Sequence, residues 1–146
     1  MRKIRIAVFV SGGGTNLQAL LDAQQAVKLP IGEIALVVAS RSDAYALTRA
    51  AAGGIPSEVV RRKDFADQAA YEDALTSLMR ENKIDLIVLA GFMSILSKAF
   101  TDRFPQRMIN IHPSLIPSFC GKGFYGIHVH EAALRYGVKV SGATVH

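Results

Sequence analysis

Short apolar runs of strand length alternate with helix-patterned segments along this chain. The first run, Ile4–Val10, is apolar over its last five residues, and Leu17, Leu20 and Leu21 follow it at helical spacing. A strand that is apolar on both faces has to be covered on both faces, as in a parallel sheet. The alternation therefore predicts an α/β protein: an open, mostly parallel twisted sheet with helices on both faces, of Rossmann-like type.

The same periodicities predict the remaining elements. Further strands are expected at Ile34–Ala39, Ser57–Val60, Asp85–Ala90, Arg107–Ile111 and Lys139–His146. Helices are expected at Ala44–Ala52 (closed by Gly53), around Tyr71–Met79, at Ser94–Phe100 and at Val129–Tyr136. Right-handed crossovers would place the carboxyl ends of all strands on one edge, where ligands of such sheets bind. The loops expected at that edge are Ser11–Asn16, Ser40–Asp43, Gly91–Ser94 and Asn110–Gly126.

Length and composition predict one soluble globular domain over residues 1–146. The chain is 50% hydrophobic and 20% charged, which excludes a disordered protein. Its single cysteine, Cys120, cannot form an internal disulfide and is expected to be an unpaired loop thiol in a reducing compartment. We therefore expect a cytoplasmic protein with no membrane partner. Because the chain stops at His146 within a strand pattern, we also expect the sequence to be incomplete at its C-terminus.

The charge pattern favours a small anionic ligand. The net charge of +5 comes from scattered lysines and arginines, and no basic stripe carries interleaved aromatics, so nucleic acid is not an expected partner. All four histidines follow residue 109. His128 and His130 diverge on a helix because they lie two residues apart, so we expect no metal.

The glycine-rich segment Ser11–Asn16 lies between the first strand and the first helix. Its glycines let backbone N–H groups approach an anion at the helix N-terminus, which predicts a phosphate-binding loop. A nucleoside-triphosphate-binding loop has a lysine after its glycines, and this loop has none, so it is not expected to bind a triphosphate. The dinucleotide-binding pattern has a third glycine where this chain has Leu17, and an acid where this chain has Ser40-Arg41-Ser42. Binding of a dinucleotide such as NAD is therefore disfavoured. A plain strand-to-helix turn remains the alternative.

A second candidate site is the end of the fifth strand. Asn110 and His112 should lie on one side of that strand, with Ile111 opposite. An amide donor beside an imidazole can polarise a carbonyl, stabilise an oxyanion and move a proton. A structural asparagine and a loop histidine are the alternative. We expect this pair and the glycine loop to open into a common cleft.

Three motifs resemble a known family. They are SGGGTN at Ser11–Asn16, LAGFMSIL at Leu89–Leu96 and INIHPSLIPSF at Ile109–Phe119. Together they resemble phosphoribosylglycinamide formyltransferase, and SGATVH at Ser141–His146 resembles the strand before this family's catalytic aspartate. The glycine loop favours this family over methionyl-tRNA formyltransferases.

The resemblance implies formyl transfer from 10-formyltetrahydrofolate to glycinamide ribonucleotide in purine biosynthesis. Gly14, Thr15 and Asn16 would hold the acceptor phosphate, and Asn110 and His112 would be catalytic. The folate would contact Asn110, Gln68 and the segment Met93, Ser94, Ile95 and Leu96.

The sequence also departs from the family pattern. Many members have arginine at the positions of Gln68 and Ser94. Arg62 or Lys63 could substitute for the arginine missing at position 68. The family's aspartate would follow His146, and the loop Cys120–Gly126 is longer than in some members. Hydrolysis of 10-formyltetrahydrofolate and a non-catalytic phosphate- or nucleotide-binding module are the alternative functions. The sequence leaves the oligomeric state open.

Overall fold

The computed structural model describes all residues, 1–146. Its strands are β1 (Ile4–Val10), β2 (Gly32–Ala39), β3 (Ser57–Val59), β4 (Leu86–Leu89), β5 (Met108–His112) and β6 (Thr144–Val145). Its helices are α1 (Thr15–Gln25), α2 (Ala46–Ala52), α3 (Gln68–Glu81), α4 (Lys98–Thr101) and α5 (Ile127–Tyr136), with a 3-10 turn at Arg62–Asp64. The six strands form a mostly parallel sheet in the order β3-β2-β1-β4-β5-β6. The α/β prediction is confirmed.

The chain divides into two compact units, Met1–Met108 and Ile109–His146. In the first unit β1 pairs in parallel with β2 and β4, and β2 pairs in parallel with β3. In the second unit β5 and β6 pair antiparallel, with Ile111 opposite Val145. None of the helices combines the length and the apolar character needed to cross a bilayer.

Alternate residues of β1 enter two separate hydrophobic clusters. Ile6, Val8 and Val10 pack with apolar residues of α1 and α2. Ala7 and Phe9 pack in the other cluster, with residues of α3. Because side chains alternate across a strand, one seven-residue run supports helices on both sheet faces. The glycine loop Ser11–Asn16 begins directly after this doubly buried strand.

Two predicted elements are wrong in extent. The helix expected at Ser94–Phe100 begins only at Lys98, where the side chain of Ser97 accepts a hydrogen bond from the Phe100 N–H. Hydrogen bonds to side chains of Ser11, Gln68 and Glu72 hold the preceding residues in a non-helical backbone.

The strand expected at Lys139–His146 is limited to β6, and its direction corrects the expectation that all strands end at one edge. Backbone hydrogen bonds between Asn110 and His146, 2.7 and 2.9 Å long, pair β6 antiparallel to β5. The carboxyl end of β6 therefore points opposite to that of β5.

Candidate functional site

The glycine loop places an open helix N-terminus directly after β1. Gly14 has a left-handed backbone, with φ at 75°, and its carbonyl accepts the first helical hydrogen bond from Gln18 at 2.8 Å. A Cβ at Gly14 would lie 2.6 Å from the Cβ of Ala46, so no larger residue fits. No side chain caps α1. Its first N–H groups, which include those of the exposed Thr15 and Asn16, are therefore available to an anion.

Arg49 on α2 braces this loop. Its Nε donates to the carbonyl of Gly13 at 2.7 Å, and its Nη1 donates to Oε1 of Gln18 at 3.3 Å. The guanidinium also lies over the ring of Tyr45, 5.1 Å from the centroid. The arginine thus holds the Gly13 carbonyl and adds a positive charge beside the loop.

Ser11 joins three of the loops that were expected at the carboxyl edge. Its Oγ lies 2.5 Å from Oγ of Ser40, which follows β2. The same oxygen accepts a hydrogen bond from the N–H of Met93, after β4, at 2.8 Å. Ser11 is itself buried, with 4% of its surface exposed. The hydroxyl therefore fixes the glycine loop relative to the segments that follow β2 and β4.

The segment Met93–Leu96, predicted to contact a folate, is held by side chains of α3. Gln68 donates through Nε2 to the carbonyl of Ile95 at 3.0 Å and to Oε1 of Glu72 at 2.7 Å. Glu72 also accepts from the N–H and the hydroxyl of Ser97, at 2.7 and 2.6 Å. Met93 and Ile95 are exposed. Hydrogen bonds rather than burial thus position Met93 and Ile95 at the surface, while Leu96 packs against the core.

The electrostatics around α3 favour an ionised Glu72. Burial raises the pKa of this carboxyl, but the hydrogen bonds from Ser97 and Gln68 together outweigh burial and leave the pKa below its usual value. Tyr71 beside it is fully buried, and its hydroxyl has no hydrogen-bond partner. Burial raises the pKa of Tyr71, and the nearby Ser94 partly offsets this effect.

A basic cleft of about 550 Å³ adjoins the same segment. It is lined by Ser40–Asp43, Arg61–Lys63, Met93 and Ser94. Arg41 pairs with Asp43 at 2.8 Å, and Arg61 pairs with Asp64 at 2.7 Å. Arg62 donates to Oε1 of Gln68 at 3.0 Å. Sequence reasoning considered Arg62 and Lys63 as substitutes for a missing arginine, and both line this cleft.

In the second unit, Asn110 lies on β5 and contacts the end of the chain. Its side-chain Nδ2 lies 3.2 Å from Nε2 of His146. Since an amide nitrogen can only donate, Nε2 of His146 accepts, and a neutral His146 ring carries its proton on Nδ1. The amide group has two protons, so Asn110 keeps one donor for a ligand.

His112 is oriented by the loop that follows it. Its Nε2 lies 2.8 Å from the carbonyl oxygen of Phe119. A carbonyl can only accept, so Nε2 carries the proton and Nδ1 of the neutral ring carries the lone pair. Ser114 is fully buried and donates to the Ser118 carbonyl at 2.5 Å, while Thr144 donates to the Ser114 carbonyl at 2.7 Å. These bonds hold the loop that supplies the Phe119 carbonyl.

The predicted site residues thus fall into two groups. Gly14, Thr15, Asn16, Gln68 and Met93–Leu96 belong to the first unit, where Ser11 ties their loops together. Asn110 and His112 belong to the second unit, and the common cleft with the glycine loop stays a prediction. Cys120 is a free thiol, as expected, and donates to the Pro117 carbonyl at 3.3 Å. The histidines, cysteine and carboxylates form no group of three that could hold a metal ion.

Sequence reasoning missed the roles of Ser11, Arg49 and Glu72. For Glu72 a signal existed, because it lies three and seven residues before the apolar Leu75 and Met79 on the buried face of α3. A carboxylate at a core position requires hydrogen-bond partners. Ser11 and Arg49 give no comparable signal, since their hydrogen-bond partners are distant along the chain.

The chain belongs to the formyl transferase family, because the model of that family, described as Formyl transferase, matches residues 4–146. Its relatives include the phosphoribosylglycinamide formyltransferase of Haemophilus influenzae, 41% identical over 142 residues, which cover 97% of this chain and 64% of that protein. The trifunctional purine biosynthetic protein adenosine-3 of Drosophila melanogaster is 43% identical over 146 residues, 99% of this chain and 10% of that protein.

A solved structure shows the same similarity. The phosphoribosylglycinamide formyltransferase of Brucella melitensis superposes with a TM-score of 0.90 at 42% identity, covering 99% of this chain and 72% of that one. The resemblance inferred from the three motifs is confirmed. The chain spans between about a tenth and two thirds of the curated relatives named above.

Proposed function

We propose that the protein transfers the formyl group of 10-formyltetrahydrofolate to the amine of glycinamide ribonucleotide, a step of purine biosynthesis. The observation that carries this proposal is the uncapped N-terminus of α1 behind Gly14, in a chain of the formyl transferase family. A phosphorylated acceptor needs such an anion-binding group, whereas hydrolysis of the folate does not. The positive net charge suits a phosphate-bearing acceptor and a carboxylate-bearing folate.

The residues have distinct proposed roles in substrate binding. The N–H groups of Gly14, Thr15 and Asn16, together with the two polar side chains, hold the phosphate of the acceptor. Met93, Ser94, Ile95 and Leu96 form one wall for the folate, with Gln68 behind them. Both substrates are small molecules, and no metal takes part in this proposal.

In the chemical step the acceptor amine attacks the formyl carbon. A carbon–nitrogen bond forms, and negative charge develops on the formyl oxygen, where the free N–H of Asn110 donates a hydrogen bond. Nδ1 of His112 takes a proton from the attacking nitrogen and returns a proton to the folate nitrogen as its bond to carbon breaks. Formylated acceptor and tetrahydrofolate are the products, and no oxidant or reductant is required.

The test of the histidine separates its basic nitrogen from its structural bond. His112→Gln keeps an N–H donor for the Phe119 carbonyl but has no base at the position of Nδ1. We expect kcat to fall about 10²–10⁴-fold in both His112→Gln and His112→Ala. His130→Ala, an exposed change on α5, is the matched control. Wild-type kcat in His112→Gln would exclude the proton-transfer role.

Substitution of Asn110 and of the glycine-loop side chains tests the other roles. Asn110→Ala should lower kcat about 10²–10³-fold through loss of the oxyanion donor. Thr15→Ala and Asn16→Ala should raise the KM of glycinamide ribonucleotide about tenfold. If both loop variants consume folate at the wild-type rate without acceptor, the activity is hydrolysis. Binding of both compounds without turnover would indicate a non-catalytic module.

A further inference from the structure

The proposed chemistry leaves one buried carboxylate without a function. Glu72 is 2% exposed and accepts three hydrogen bonds, two from Ser97 and one from Gln68. A buried charge is unfavourable unless it is fully hydrogen-bonded, and an apolar residue of similar size would fill the same volume without that penalty. The position therefore requires an explanation beyond packing.

Both ends of the partly exposed segment Met93–Leu96 are held by hydrogen bonds to side chains. At its start the Met93 N–H donates to Ser11. Towards its end the Ile95 carbonyl accepts from Gln68, and the N–H of Ser97 just beyond it donates to Glu72. Leu96 packs against the core, but Met93 and Ile95 are exposed, so packing does not position these two residues and the hydrogen bonds do. Glu72 holds two of these contacts at once, since it binds Ser97 directly and orients Gln68.

We propose that Glu72 is a positioning residue for folate binding, which holds the Met93–Leu96 segment through Ser97 and Gln68. The inference rests on the proposed function, because that function assigns the segment to the folate. Gln68 then acts through the Ile95 carbonyl, and its amide is already shared among Arg62, Glu72 and Ile95.

The kinetic consequence follows from where this segment acts. It contacts the body of the folate and none of the reacting atoms, so it binds the ground state and the transition state alike. Loss of such uniform binding raises KM and leaves kcat unchanged. Loss of a residue that merely stabilised the fold would instead lower the active fraction of the enzyme. The apparent kcat would then fall, with no selective change in the KM of the folate.

The experiment compares Glu72→Ala with Glu81→Ala, an exposed glutamate at the end of the same helix. Glu72→Ala should raise the folate KM about tenfold and weaken 10-formyltetrahydrofolate binding equally in a fluorescence titration. The KM of glycinamide ribonucleotide and kcat should stay within about twofold. Amide hydrogen exchange at Ser97 should become at least about tenfold faster, because its acceptor is gone. Glu81→Ala should match the wild type.

Two further variants keep the inference testable if Glu72→Ala fails to fold. Glu72→Gln retains one carbonyl oxygen as acceptor and should recover most of the folate affinity. Gln68→Ala, at a half-buried position, should raise the folate KM without changing exchange at Ser97. Unchanged folate affinity in Gln68→Ala, or in a folded Glu72→Ala, would overturn this inference but leave the proposed function standing. Absence of folate binding by the wild-type protein overturns the proposed function as well.

Discussion

At Gly14 two constraints act on one residue. Its φ of 75° disfavours any residue with a Cβ, and the Ala46 Cβ occupies the space that the added atom would need. Gly12 and Gly13 face open space instead, because a Cβ added at either would have no atom within 4 Å. The three neighbouring glycines therefore differ: only Gly14 is demanded by the fold, while the other two leave room for a ligand.

We expect Gly14→Ala to lower the free energy of unfolding by about 2–4 kcal/mol, the sum of backbone strain and overpacking. Gly13→Ala should change it by less than about 0.5 kcal/mol, since it meets no atom. Urea unfolding of both variants checks this. Equal stability of the two would show that α2 moves away from the loop at no measurable cost.

The sequence predicted the candidate site unevenly. Glycines after a buried strand and the spaced pair Asn110 and His112 are local patterns, so both could be found without coordinates. The proton position on His112 could not, because it depends on the Phe119 carbonyl, seven residues away. The partners of Ser11 and Arg49 lie 29 to 82 residues away along the chain, and no local pattern encodes such contacts.

At the scale of the elements, periodicity predicted β1, β2 and α3 well because each is buried in a regular pattern. It failed for α4, since the polar groups of Gln68, Glu72 and Ser11 bind the backbone of the preceding segment and keep it out of the helix. It also failed for β6, where only the exchange of hydrogen bonds with Asn110 defines a strand.

Helix α3 carries Gln68 and Glu72, so its start has to be fixed. Asp67 caps it, accepting from the Ala70 N–H at 2.8 Å. We expect Asp67→Ala to lower the free energy of unfolding by about 1 kcal/mol, whereas Asp67→Asn keeps an acceptor and should lose only a few tenths. Urea titration measures both. If Asp67→Asn lost as much stability as Asp67→Ala, the charge of Asp67 rather than its capping hydrogen bond would stabilise the helix.

At the scale of the molecule, Asp85 ties the N-terminus of the chain to the start of β4. Two short hydrogen bonds from Arg2 and one from the Arg5 N–H lower the pKa of Asp85 from 3.8 to about 2, against the effect of burial. The folded state thus binds the proton less readily than the unfolded chain does. The contribution of Asp85 to stability is full above pH about 5 and is lost as the pH falls towards 2.

We therefore expect the wild-type melting temperature to fall more steeply between pH 5 and 2 than that of Asp85→Asn, which has no proton to bind there. Arg2→Gln should flatten the curve similarly, because Arg2 is the main cause of the low pKa. Thermal unfolding monitored by circular dichroism across this range decides the point. Parallel curves for wild type and Asp85→Asn would contradict it.

The hydroxyl of Ser11 has a consequence for how two ligands would affect each other's binding. It is bonded both to the segment after β2 and to Met93, and it directly precedes the glycine turn. If the acceptor phosphate and the folate bind as proposed, a phosphate that stiffens the turn would also steady Met93, and a folate that steadies Met93 would stiffen the turn. Thermodynamic reciprocity then requires each compound to tighten the other's binding by the same factor. We expect Ser11→Ala to reduce this coupling, measured by titrating each compound in the presence and absence of the other.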